Sequence, residues 1–324
     1  MNLKNSSVQK PSNVAMYFSV ETTDNIPVPG VAAEMFRIYE DDQLISPFES
    51  KQTILNPEVS VVHYTILLMD LSGSITESGT LPTLIEAATL FSERVSKKEQ
   101  IAIYGFDGGA KLIPVVPLTS SAGEISAGIR RLQSYKVNDP STNLNGAIVE
   151  AVTILNAQMA KATQPLRFGT LVVFTDGTDR AHRVSEEDMI RSIQESELSV
   201  FAIGVGGEIS AKQLKNISNA GFIQASDHGQ IALAFNGIAD LIEAASRKFY
   251  LLSYCSPSRA GIHDLKVELM HENLSGSLTH QFDASGFGPG CDPSKKPAFT
   301  TGKVTVGTTK IPEKKKAVSI NGAD

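Results

Sequence analysis

The apolar run Tyr64-Thr65-Ile66-Leu67-Leu68-Met69 stops abruptly at Asp70-Leu71-Ser72-Gly73-Ser74. A run this short and this rich in aliphatic residues reads as a buried parallel strand that empties into a loop. The loop alternates one carboxylate with two hydroxyls, so the side chains of Asp70, Ser72 and Ser74 can converge on one point. Converging hard oxygen ligands suit a hard divalent cation, Mg²⁺ or Mn²⁺ ahead of Ca²⁺.

The stretch 61–249 repeats this strand-then-helix pattern. Leu81, Leu84, Ile85, Ala88, Phe91 and Val95 fall on one helical face. Buried strands are expected at 101–106, 171–174 and 200–205, with a short one at Phe222-Ile223. Residues 110–118 read as an edge strand, because Pro114 and Pro117 cannot donate to a central ladder. Helices are expected over 121–134, from Leu144 onward, and over 185–197, 210–219 and 229–249. Such alternation implies an α/β fold, a doubly wound and mainly parallel sheet. Sheets of that kind bind ligands beyond the carboxyl ends of their strands. Asp70 and Asp176 each follow a strand directly, so both belong on that rim.

Each of these residues has a plainer explanation. Ser72 or Ser74 could cap the next helix, as could Ser141 or Thr142; Asp176-Gly177 could be only a turn. The ordered set Asp70/Ser72/Ser74, then Thr142, then Asp176 weighs against that. It resembles the von Willebrand factor type A domain and its metal-ion-dependent adhesion site. In that family the first loop is Asp-x-Ser-x-Ser, a middle loop supplies a Thr and a third supplies an Asp. Phe106-Asp107, Thr142-Asn143-Leu144 and Phe174-Thr175-Asp176-Gly177 agree with the same pattern. The resemblance implies that Ser72, Ser74 and Thr142 bind the cation through hydroxyls, and that Asp70 and Asp176 reach it directly or through water. It also implies a non-enzymatic binding and adhesion module, in which a protein partner's Asp or Glu carboxylate completes the coordination. Two other outcomes stay open: an intracellular adaptor presenting clients to an ATP-driven complex, or a structural domain whose metal pins its loops.

Residues for catalysis are harder to find. The six histidines show no pairing at helical ligand spacing; only His182, six residues past Asp176, could lie near the rim, and it reads first as a surface loop histidine. No Gly-x-x-x-x-Gly-Lys or Gly-x-Ser-x-Gly pattern is present. The net charge of -6 argues against a nucleic-acid backbone as partner.

The flanks change character. Met16 to Glu21 reads as a strand, and Glu34 to Glu40 turns at Asp41-Asp42 into Gln43-Leu44-Ile45, a hairpin pattern. Leu265, Val267 and Leu269 alternate with Lys266 and Glu268 in a half-buried strand, paired with 278–282 across a turn at 273–276. Neither flank can bury a face alone. The economical solution joins 14–60 and 250–284 into one discontinuous β-sandwich with the α/β domain, 61–249, inserted between them. Some bacterial proteins of the same family resemble this arrangement. Residues 1–13 read as a disordered start, and 285–324 as a flexible polar tail. No stretch approaches the roughly 20 apolar residues of a membrane span. The first residues lack an apolar signal core, which fits a cytoplasmic protein or a mature exported one. Cys255 and Cys291 could pair or remain free thiols; pairing favours a periplasmic, cell-surface or secreted location. The partner's identity and the oligomeric state are not written in these patterns.

Overall fold

Backbone pairing, more than hydrophobic alternation, organises the first segment. The computed structural model describes residues 1–299 apart from 25, 56–60, 98, 163, 165, 272 and 273. Residues 300–324, most of the expected tail, lie outside the described residues. The first strands are β1 (Asn2–Gln9), β2 (Asn13–Ser19), β3 (Phe36–Glu40), β4 (Gln43–Leu44) and β5 (Thr53–Leu55). Strand β1 corrects the expectation of a disordered start. Its inward positions, Leu3, Asn5 and Ser7, are buried, yet two of them are polar. It is held by an antiparallel ladder to β2 running from Asn2↔Ser19 to Gln9↔Asn13. The β3–β4 hairpin turns at Asp41 and Asp42, whose φ angles are +48° and +63°. Two successive left-handed residues are what a two-residue type I′ hairpin loop needs.

The next segment forms β6 (Val61–Asp70), α1 (Gly73–Thr76), α2 (Leu81–Val95), β7 (Gln100–Phe106) and β8 (Ile113–Thr119). It continues with α3 (Ala122–Arg130), α4 (Leu144–Lys161), β9 (Leu166–Thr175), α5 (Glu186–Glu195) and β10 (Ser199–Val205). It closes with α6 (Ala211–Asn216), β11 (Gly221–Ala225) and α7 (Ile231–Ser246). The strand order is β11-β10-β9-β6-β7-β8, parallel except for β8, which runs antiparallel to β7 at the edge. The prolines of β8 are tolerated at that position. Pleating sends Leu67 and Met69 of β6 to one face, with Leu84 and Phe91 of α2 and Phe235 of α7. Ile66 and Leu68 go to the other face, with Ile148 of α4 and Met189 of α5. Each fully buried aliphatic or aromatic side chain here stabilises the fold by about 1.5–3 kcal/mol relative to exposure. Helix α7 ends at Ser246, three residues short of the expected boundary, and no helix of the described residues is long and apolar enough to cross a membrane.

After α7 come β12 (Phe249–Cys255), β13 (Ile262–His271) and β14 (Leu274–Asp283). Leu274 to Gly276, expected in a turn, already belong to β14 and pair with β13. Two antiparallel sheets result, ordered β1-β2-β12-β5 and β14-β13-β3-β4. They share one apolar cluster, with Met16 and Phe18 of β2, Phe36 and Ile38 of β3, Leu252 of β12 and Val267 of β13. Beside it, the buried Glu40 carboxylate accepts from Tyr254 Oη (2.8 Å), Ser256 Oγ (3.1 Å) and Ser258 Oγ (2.6 Å). Three hydroxyl donors offset much of the penalty of burying that acid. The described residues divide into two compact units, one spanning Ser60–Ser246 and the other built from the segments before and after it.

Residues 285–299, expected to begin the flexible tail, instead pack on the β1–β2 hairpin. Gly288 N donates to Pro11 O (2.9 Å), and Ser12 Oγ and Ser7 Oγ donate to Gly290 O (3.1 Å) and Ala298 O (3.0 Å). Phe287 enters the shared cluster. Cys291 is bonded to Cys255 of β12 across 36 residues of sequence. A Cys291→Ser variant should lose about 2–4 kcal/mol of unfolding free energy. Reduction of the bridge should lower the thermal midpoint likewise; a midpoint indifferent to both changes contradicts this assignment of the segment's anchor.

Candidate metal site

The register of the central sheet decides what meets at its rim. Strand β6 lies between β9 and β7, with Met69 opposite Phe174 and Asp70 opposite Phe106. All three are parallel, so Asp70, Thr175-Asp176 and Asp107 leave the sheet at the same end. Asp70 is fully buried. Its Oδ1 accepts from Ser72 N at 2.9 Å, and its Oδ2 accepts from the Thr175 hydroxyl at 2.7 Å. Burial pushes the Asp70 carboxyl up to about 6, against the lowering effect of those hydrogen bonds; the neighbouring Asp176 adds a smaller upward push. Burial also raises Asp176, opposed by the hydrogen bond from Ser74.

The hydroxyls are not spent on capping. Ser72 stands at the N-cap of α1 but its side chain caps nothing there. Its Oγ lies 3.1 Å from Ser74 Oγ, and Ser74 Oγ donates to Asp176 Oδ1 at 2.9 Å. Four of the five sequence-predicted residues are therefore joined: Asp70 behind, with Ser72, Ser74 and Asp176 in a row in front. Thr142 is brought to the rim by its backbone. Gly73 N donates to Pro140 O at 3.0 Å, and Thr142 O accepts from Arg180 N (2.9 Å) and Ala181 N (3.0 Å). The Thr142 hydroxyl forms no hydrogen bond to the other four side chains among the described residues. Gly73 sits where the two loops approach closely: a Cβ there would stand 3.0 Å from Pro140 Cβ and 3.3 Å from its carbonyl oxygen, a tight contact.

These residues fit a small divalent cation. Two oxygens adjacent on an octahedral ion of Mg²⁺ size, each at about 2.1 Å, stand about 3.0 Å apart. The Ser72–Ser74 and Ser74–Asp176 separations of 3.1 and 2.9 Å match that edge. Among the described residues no group of three or more His, Cys, Asp or Glu could hold a metal, so an ion here depends on the hydroxyls.

Thr175 and Asp107, named from sequence only as neighbours in the pattern, have support roles in the structure. Thr175 props Asp70 and closes its own loop by accepting from Gly177 N (3.2 Å). Asp107 holds the middle loops, accepting from Gly109 N (2.7 Å), Tyr135 Oη (3.2 Å) and Asp139 N (3.3 Å). A Thr before the rim Asp and an Asp closing β7 were visible signals, but support roles have no spacing of their own. His182 is an exposed loop histidine, as expected, and it is a different histidine that nears the rim. His182 turns to Asp179, 3.7 Å away, whereas His228, after β11, stands 4.0 Å from Asp176 Oδ2. Beside the third loop a cleft of about 540 Å³ is lined by Leu144, Asn145, Asp179, His182, Met189 and Ile209, among others.

A family model for the von Willebrand factor type A domain matches residues 66–236. Among solved structures, proximal thread matrix protein 1 from the mussel byssus aligns at 17% identity with a TM-score of 0.48, over 56% of this chain and 48% of its own. A von Willebrand factor type A structure from Catenulispora acidiphila aligns at 11% identity and a TM-score of 0.48, over 86% of this chain and 74% of its own. The manganese-loaded TRAP protein of Plasmodium vivax aligns at 14% identity and 0.45, over 78% and 99%. The chain thus spans about half the length of the mussel protein. A search of curated proteins finds no match. The family model spans more than half of the 324 residues and falls on the unit that carries the rim, so the chain belongs to the von Willebrand factor type A domain family.

Proposed function

We propose that this chain is a non-enzymatic binding module that recognises a protein partner through a divalent cation, Mg²⁺ or Mn²⁺, held by Ser72, Ser74, Thr142 and Asp176 with Asp70 behind them. The observation that carries this reading is the unbroken row of oxygens from Ser72 through Ser74 to Asp176, at the separations an octahedral ion requires. The bound ion supplies a site of positive charge that a partner's Asp or Glu carboxylate can complete. The chain's own residues do the rest. Three neutral hydroxyls add ligands without adding negative charge, so the rim keeps its attraction for an incoming acid. Thr175 and the Ser72 amide hold Asp70 in one orientation. The cleft at Leu144 and Met189 supplies surface for residues flanking the partner's acid. The Cys255–Cys291 bond supports an exported or cell-surface location, since such bonds persist in oxidising compartments.

Thermal unfolding in EDTA, then with Mg²⁺ or Mn²⁺, tests the site. An ion at a hundredfold excess over its dissociation constant raises stability by about 2.7 kcal/mol. The rise should vanish in Asp70→Ala; no rise at millimolar metal contradicts the reading. Partner binding should be lost on chelation and in Ser74→Ala, and binding that survives both excludes metal-bridged recognition.

The metal response also depends on pH. Asp70 binds a proton more tightly in the metal-free fold than in the unfolded chain, because its carboxyl is raised to about 6. Its contribution in EDTA is therefore present below the ordinary aspartate range and lost as pH rises through about 6. A cation needs the ionised form, so the stabilisation by Mg²⁺ should shrink as pH falls through the same window. A Mg²⁺ shift of equal size at pH values on both sides of that window contradicts the role given to Asp70.

A further inference from the structure

The Cys255–Cys291 bond is open on one side. Both cysteines line a cleft of about 360 Å³, together with Ser12, Ser50, Lys51 and Arg259. Cys255 is 8% exposed and Cys291 is half-buried, so Cys291 is the more accessible of the two. Backbone bonds fix the walls of the cleft against the bridge. Cys255 N donates to Ser50 O (2.7 Å) and Ser256 N to Ser12 O (2.9 Å). Ser50 N donates to Ser46 O (3.0 Å) in the turn that carries Phe48. Phe48 is 94% exposed, and Leu44, on the lining itself, is 58% exposed. Lys51 and Arg259 set two cations on the lining against one acid, Glu49.

We propose that this bond is a thiol-exchange site, opened in the folded chain by a dithiol protein that docks on Phe48 and Leu44, and that opening it loosens the segment around Cys291 from the β1–β2 hairpin. Exchange depends on access to the sulfurs and on the charge around them, so a bridge closed off from solvent is inert. Here the cleft supplies access, and Lys51 and Arg259 favour thiolates. A thiolate of the dithiol attacks Cys291 Sγ, the bond between the two sulfurs breaks, and Cys255 leaves as a thiolate that takes up a proton. The dithiol's second thiolate then attacks the mixed disulfide, Cys291 leaves and is protonated in turn, and the dithiol closes its own disulfide. Two electrons thus pass from the dithiol to the bridge. The exposed aromatic beside the cleft favours a protein over a small thiol, because it adds apolar contact on docking. Beside the bridge, residues 290–298 are held to the hairpin by hydrogen bonds of the Ser7, Ser12 and Asn13 side chains, weaker ties than a covalent bond. The ladder of β12 to β2, from Phe249↔Ser19 to Cys255↔Asn13, is made by backbone groups and stays in place.

Reduced thioredoxin, as the dithiol probe, and glutathione at equal thiol concentration test this on the full chain. Alkylation with mass spectrometry counts the opened bridges, and circular dichroism checks that the chain stays folded. Thioredoxin should open the bridge about tenfold faster than glutathione or more. Phe48→Ser, a change at an exposed side chain that leaves the fold intact, should slow thioredoxin about fivefold and leave the glutathione rate unchanged. Amide hydrogen exchange over residues 288–298 should rise about tenfold once the bridge is open, with β12 unchanged. A bridge that resists both thiols until the chain unfolds overturns the proposal. So does a Phe48→Ser chain that reacts with thioredoxin like the wild type, or a segment whose exchange is the same with the bridge open and closed.

Discussion

Two carboxylates forced to the same end of one sheet are the constraint on which the rim depends. Strand β9 pairs with β6 over nine residues, and that register leaves no freedom in where Asp70 and Asp176 emerge. Slipping β9 by one residue against β6 would turn Val172 and Phe174 out of the apolar cluster they share with Leu67 and Met69, so the core enforces the placement of the acids. Asp70 is buried and raised, Asp176 is raised by burial, and their mutual repulsion adds to the effect on Asp70. The fold tolerates this because hydroxyl and amide donors surround the acids. A divalent cation would relieve it further.

Side-chain hydroxyls placed at helix starts usually satisfy the helix. Elsewhere in this chain they do so: Ser185 and Ser210 each accept from the amide three residues on. Ser72, at the N-cap of α1, does not. The same residue type thus follows two different rules within one domain. The difference lies in the partner: the Ser72 hydroxyl meets Ser74 Oγ at 3.1 Å instead of a helix amide.

The parts of the molecule that were legible in the sequence are those whose burial is apolar and continuous. Strands β6, β9 and β10 are covered on both faces and read as unbroken aliphatic runs, and the doubly wound sheet follows from their alternation with helices. Strand β1 was not legible because Asn5 and Ser7 occupy its inward positions, so no hydrophobic period marks it. Residues 285–299 have the composition of a solvated tail; hydrogen bonds to Pro11, Ser12 and Ser7, the packing of Phe287 and one disulfide tie them down. The three loops of the rim were legible as motifs. The contact of His228 with Asp176 was not, since it depends on how the turn at Ser226–Gln230 folds around its own side chains.

The most direct test of the central claim is the position of the ion itself. Crystals grown with Mn²⁺ and measured at a wavelength where manganese scatters anomalously locate the metal without reference to any assumed ligand. The account predicts one strong peak at about 2.1–2.2 Å from the hydroxyl oxygens of Ser72 and Ser74, with Asp176 and Thr142 in the same coordination sphere. A rim without anomalous density at saturating Mn²⁺, or a peak held by other residues, contradicts it.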